Sequence, residues 1–285
     1  MQEIANNVYI EDQYSGITLG AICLPHGLVQ IDAPPSIEDG RSWRASLLGL
    51  GGGSERVLIS LDAHPDRTLG ARSMECTTIV HEKTAQIFRN RPSLFKGQGD
   101  DTGSEWESIP NLGNLRWATP EIIFSHQMAL EWGETSVLLE HKPGSRAGAI
   151  WVTLPGYKVV FVGDAIVKQQ PPFLAHANLP LWIDSLEALL SDEYRGFTVV
   201  SGRGGACAAV TIRNQLDFLT EVQKELGKLA SRKASSDATE KLVGPLLAHF
   251  KFPAGRQDQY EQRLRYGLRN CYSRNFNTAS KVEEE

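Results

Sequence analysis

The chain has 285 residues, of which 41% are hydrophobic and 22% charged. That composition fits a globular domain and excludes fibrous, disordered and membrane-spanning classes. Its net charge of −5 gives no support for nucleic-acid or anionic-membrane binding, and no apolar run approaches the ~20 residues of a spanning helix. Cys23, Cys76, Cys207 and Cys271 are scattered without a CxxC pair, and MQEIANNVYIEDQ lacks the basic and apolar parts of a signal peptide. A cytoplasmic location with reduced thiols is therefore expected.

Strands are predicted at Val8–Ile10, Ile17–Leu24 and Gly27–Asp32. Ser36–Leu50 carries apolar residues at helical spacing and is closed by Gly51-Gly52-Gly53, a turn rather than a phosphate loop. Val57–Leu61 is a continuous apolar run, the pattern of a strand buried on both faces, and it leads into Asp62-Ala63-His64-Pro65-Asp66-Arg67 and a helix start. Residues 90–117 are rich in Pro, Gly and polar side chains and predict a long loop or lid, in which Trp106 and Trp117 either line a pocket or anchor the loop. Strands resume at Glu121–Phe124, Ser136–Glu140, Gly148–Thr153 and Lys158–Val162, the last two joined by a Pro155-Gly156 turn. An amphipathic helix at Leu181–Leu190 and a strand at Phe197–Val200 follow. From Val210 onward the chain is predominantly helical, clearest at Leu216–Leu229 and Asp258–Cys271.

Three of these strands end in short turns that carry polar side chains: Asp62–Arg67, Gly163-Asp164 and Gly202-Arg203-Gly204. Strand ends supply ligand sites in layered α/β folds, because side chains converge there on a fixed backbone. Asp62, His64 and Asp66 alternate, so an extended turn would aim all three to one side. Two carboxylates and an imidazole suit Zn²⁺, Mn²⁺ or Fe²⁺, although the same run taken alone reads equally as a capped helix start. Asp32 closes a strand and is expected to hydrogen-bond backbone beside the site. His26, His81, His126, His176 and His249 have no partner motif, His141 is expected on the surface, and Cys207 reads as a small buried hydrophobe.

The blocks GLVQIDAP, VLISLDAHPDRTLGA, EHKPGSRAG, VVFVGDAI, LPLWIDSLEALL and VVSGRGG stand in the order and approximate spacing of the metallo-β-lactamase superfamily, which residues 5–230 resemble. The resemblance implies an αββα four-layer sandwich over residues 1–230. A helical C-terminal extension, residues 231–285, is expected to pack on the same domain. It also implies a one- or two-metal hydrolytic centre at one edge. The chain departs from the family pattern His-x-His-x-Asp-His at Asp62 and at Arg67, the latter a change that β-lactamases of the superfamily share. The histidine of Gly-His-x-x-Gly falls on Ser145, and that of Gly-His-Gly falls on Arg203; the bridging aspartate is Asp164.

Sorted by metal position, Asp62, His64 and Asp164 would hold at most one divalent ion (Zn, Mn or Fe), with Asp66 orienting water or acting as general base. Guanidinium groups cannot ligate, so Arg67 and Arg203 are expected to pair with Asp66 and Asp164 and leave the second metal site empty. Two functions follow. One is a mononuclear metal-dependent hydrolase of an ester, thioester or phosphoester. The other is a metal-free pseudo-hydrolase that binds an anionic ligand in a pocket lined by Arg67, Arg203 and Ser145. Both take a small molecule and neither takes nucleic acid or membrane. The sequence leaves the oligomeric state open.

Overall fold

The computed structural model describes residues 1–90, 93–95, 101–110, 112 and 114–276. Four antiparallel strands open the chain: β1 (Gln2–Ala5), β2 (Val8–Glu11), β3 (Leu19–Cys23) and β4 (Gly27–Ile31). The helix α1 (Ile37–Leu47) begins where the Ser36 hydroxyl accepts the Asp39 N–H at 3.0 Å. β5 (Glu55–Ile59) returns parallel to β4. It ends two residues before the predicted Leu61, whose N–H is taken at 2.9 Å by the Asp32 carboxylate. The one-turn α2 (Pro65–Thr68), β6 (Thr77–His81) and α3 (Glu82–Asn90) follow, with His81 Nδ1 accepting the Lys83 N–H at 3.2 Å at the start of α3.

Residues 90–117 are not one open loop. β7 (Ser93–Phe95) pairs antiparallel with β8 (Asn114–Arg116), and Glu105–Ser108 form a 3-10 turn. Residues 91, 92, 96–100, 111 and 113 lie outside the described residues. Trp106 and Trp117 are anchors: both are buried with Phe88 and Val80, and Trp117 Nε1 donates to Thr68 Oγ1 at 2.8 Å. β9 (Ile122–Phe124) adds in parallel to β6 and completes a seven-stranded sheet.

The second sheet has six strands: β10 (Gln127–Leu130), β11 (Val137–His141), β12 (Ile150–Leu154), β13 (Val159–Phe161), β14 (Thr198–Val200) and β15 (Ala206–Cys207). Only the β13–β14 pair is parallel. Four helices accompany it: α4 (Leu179–Leu189), α5 (Ala209–Ser231), α6 (Glu240–Leu247) and α7 (Gln257–Asn275). Among the described residues no helix is long and apolar enough to cross a membrane.

The period-two alternation of the strands sorts their side chains into layers. On β3, Leu19, Ala21 and Cys23 pack with Trp43 and Leu47 of α1, whereas Ile22 faces the second sheet. On β12, Ile150, Val152 and Leu154 face the first sheet, and Trp151 turns to the helices. The result is helix, sheet, sheet, helix. Gly20 lets the sheets approach closely at one point, since a Cβ there would lie 2.6 Å from the Phe161 ring. α5 runs across residue 230 without interruption. Side chains of α4 to α7 share one apolar cluster with Trp151, Val160 and Val199 of the second sheet.

Because Leu264 of α7 is fully buried in that cluster, Leu264→Ala should cost about 2–5 kcal/mol. Denaturation followed by circular dichroism and by tryptophan fluorescence should give one coincident transition. Separate transitions would mean that α7 folds independently of the sheets.

Candidate functional site

Strands β5, β13 and β14 end beside one another, and a short turn follows each. Residues 62–67 leave the first sheet after β5; Asp164 lies in the 3-10 turn Gly163–Ala165 after β13, and Arg203 follows β14. All six chemically active side chains from these turns, Asp62, His64, Asp66, Arg67, Asp164 and Arg203, are buried. Gly202 allows the approach: a Cβ on it would fall 2.6 Å from Asp164 Oδ1.

Two guanidinium groups knit the carboxylates together. Arg203 forks onto Asp164, Nε to Oδ1 at 3.1 Å and Nη2 to Oδ2 at 3.2 Å, and its Nη1 donates to Asp66 Oδ2 at 2.8 Å. Arg67 donates from Nη2 to Asp164 Oδ1 and from Nη1 to Asp32 Oδ2, the latter at 2.6 Å. Its Nε lies 3.1 Å from Asp62 Oδ1, an ion pair without hydrogen-bond geometry. Thus Arg203 bridges Asp66 and Asp164, as the exchange of histidine for arginine suggests, while Arg67 pairs with Asp164, Asp62 and Asp32 rather than with Asp66. Asp66 is further committed, accepting the Trp106 N–H at 2.8 Å and the Glu105 N–H at 3.2 Å.

Burial alone would raise the pKa of Asp164, but Arg203 and Arg67 outweigh it and hold that carboxyl well below the usual range. Burial likewise works against both arginines, and the carboxylates outweigh it, so both remain cations. At Asp32 burial prevails over Arg67 and the Leu61 N–H and pushes its pKa up to about 7. His64 is held neutral, first by burial and then by the positive fields of Arg146, Arg203 and Arg67.

His64 also has a defined tautomer. Its Nδ1 accepts the Asp66 N–H at 3.2 Å, so the proton of the neutral ring resides on Nε2, which is buried without a partner. Phe173 packs against this ring at a tilt of 60°, 4.3 Å between centroids, and against Arg203 and Arg263 of α7, whose guanidinium carbons lie 4.5 and 4.1 Å from its centre. Arg263 donates to the Gly103 carbonyl at 2.8 Å and pairs with Glu105, and burial pulls its pKa down to about 10. Arg146, Arg263, Glu105 and Phe173 were not singled out as site residues in the sequence. Arg146 sits within a recognised block, but α7 and residue 105 lie far along the chain from any of them.

Solved structures match this architecture over most of the chain. The sec-alkylsulfatase Pisa1 from Pseudomonas sp. superposes with a TM-score of 0.70 at 13% identity, covering 97% of this chain and 50% of its own. A metallo-β-lactamase from Pontibacter korlensis gives 0.58 at 18% identity, over 77% of this chain and 97% of its own. The metallo-β-lactamase IND-7 gives 0.58 at 15% identity, over 77% and 96%. The chain has the metallo-β-lactamase fold. It spans half the length of the alkylsulfatase, and the 97% coverage leaves so few residues out that it takes in the C-terminal helices. No family model matches the chain, and no curated protein matches it.

The metallo-β-lactamase fold implies a metal at this edge, and the donor set here does not suit one. A metal on His64 Nε2 would need the ring proton moved to Nδ1, against the Asp66 N–H. Asp62 Oδ1 already accepts the His64 N–H at 2.7 Å, and both oxygens of Asp164 are taken by guanidinium groups. Ser145 is a poor ligand, and among the described residues no group of three or more His, Cys, Asp or Glu side chains is arranged to hold an ion. Nor do the other histidines substitute. His141 stacks on His81 at 3.8 Å and bonds the Ala147 carbonyl, and His176 is exposed beside Arg274. Burial raises the pKa of the Cys207 thiol to about 11, which keeps it protonated.

Replacing Arg203 by Ala would leave the buried Asp66 without a cationic partner and Asp164 with Arg67 alone, a loss of about 3–5 kcal/mol that chemical denaturation should read. The stacked pair carries a pH signature. Burial holds the pKa of both His81 and His141 below the ordinary value, so the fold favours the neutral rings. Their contribution is complete above about pH 6.5, the unfolded value, and is lost as pH falls below it. Urea denaturation of the wild type and of His141→Gln, whose amide can still reach Ala147, should show a stability gap that narrows from pH 7.5 to 5.5. A constant gap would contradict this.

Proposed function

We propose that this protein is a metal-independent, non-hydrolytic relative of the metallo-β-lactamase-fold hydrolases that binds a small anion at the edge where they perform catalysis. The observation that carries the reading is the placement of Arg67 and Arg203 among the buried carboxylates. Arg67 and Arg203 already supply Asp62, Asp66 and Asp164 with the positive charge that a metal would otherwise bring, and a divalent ion would add charge beside two buried guanidinium groups. The commitments of Asp66 to two backbone N–H groups and to Arg203 weigh against a role as general base.

An anion is favoured because the uncommitted groups beside the network are donors. His64 Nε2–H and Ser145 Oγ are buried without partners. The adjacent Arg146 is half-buried, forms no ion pair among the described residues and exerts the strongest side-chain field on His64. Arg67 and Arg203, saturated by carboxylates, would support this locus rather than contact the ligand. The sulfatase and lactamase names of the structural neighbours make oxyanions such as sulfate, phosphate and carboxylate the probes of choice.

Elemental analysis of purified protein should find well under one equivalent of Zn, Mn or Fe, and EDTA should leave Tm unchanged. Sulfate or phosphate should raise Tm, and Arg146→Ala should diminish that rise. One retained equivalent of metal, with hydrolysis of a sulfate ester, β-lactam or phosphoester that is lost in His64→Ala, would restore the mononuclear hydrolase.

A further inference from the structure

A second cationic locus lies outside the central network, on the outer face of the first sheet. A groove of about 340 Å³ opens between α1, the turn after α2 and β8, lined by Ile37, Arg41, Leu69, Arg72, Glu75 and Arg116, with Ser73 behind them. Arg41, Arg72 and Arg116 come from three separate elements and are exposed. Among the described residues none of them forms an ion pair. The one carboxylate on the wall, Glu75, is engaged by Arg44 instead. In a chain of net charge −5, three exposed guanidinium groups on one concave surface, with no ion-pair partner among the described residues, make a local cationic patch.

The walls are rigid enough to hold that arrangement. Gly40 of α1 packs so closely on the turn that a Cβ would lie 1.9 Å from Ser73 Oγ, and Ser73 Oγ donates to the Gly70 carbonyl at 2.6 Å. Ile37, 46% exposed, supplies an apolar strip beside the charges. The volume is at the lower end of small-molecule sites, about 300–1,000 Å³.

We infer that the Arg41–Arg72–Arg116 groove is a binding site for a small, multiply charged oxyanion, an organic phosphate or a polycarboxylate. Planar guanidinium forks from three directions match the several oxygens of such a ligand, and a short carbon skeleton would rest on Ile37. This site is independent of the central network, and each is tested by its own arginine.

Isothermal titration at 0.15 M NaCl with pyrophosphate, citrate and inorganic phosphate would test the proposal and separate the two ligand sources. Saturable one-to-one binding of pyrophosphate or citrate, tighter than that of inorganic phosphate, is expected. Arg72→Ala or Arg116→Ala should each weaken it about tenfold or more, with Tm in the absence of ligand unchanged because both side chains are exposed. Arg146→Ala should leave it intact. Absence of saturable binding to the wild type, or equal affinity in the Arg41→Ala, Arg72→Ala, Arg116→Ala triple variant, would overturn the inference. Binding lost in Arg146→Ala but kept in the triple variant would assign the anion to the central site alone.

Discussion

Asp164 shared between Arg67 and Arg203 is the contact on which the edge of this molecule depends. Asp164 and Arg203 stand on strand ends of the second sheet and Arg67 on the excursion from the first, so the fork is also a clasp between sheets. A metal ion would join those strand ends through coordinate bonds to whichever donors it met. Guanidinium groups do so through directional N–H bonds, and each bond takes up an oxygen lone pair that a metal would require. The cations that join these strand ends are part of the chain and cannot dissociate from it.

Most of the layer structure was legible in the sequence, because near-continuous apolar runs at Leu19–Cys23 and Ile150–Leu154 report two buried faces directly. Shorter elements were not. β6 reads as TTIVH and gains its strand character from β5 and β9 on either side, while α6 carries an internal Pro245 that interrupts helical scoring. The stretch 90–117 looked like open loop because its pattern is weak; its order comes from Trp106 and Trp117 inserting beside Phe88 and from backbone N–H groups caught by Asp66. Those are tertiary contacts without a local signal.

At the site, Arg203, standing where the resemblance leads one to expect a histidine, was enough to suggest which carboxylates it would meet, since a long planar cation beside buried acids has few alternatives. The partners of Arg67 were less legible. Asp32 is 35 residues away along the chain, and only the parallel pairing of β4 and β5 brings it alongside. The tautomer of His64 could not be read from composition at all, because it is dictated by a backbone N–H two residues on. Arg263 belongs to the last helix, where a charged face reads as solvated until α7 is seen to turn it inward.

A row of packed side chains runs from His64 through Phe173 to Arg263. Its inner end rests on the turn that carries the acidic side chains, and its outer end belongs to a helix of 19 residues. The final helix thereby supplies a side chain to the packing around His64, although it stands about 200 residues further along the chain.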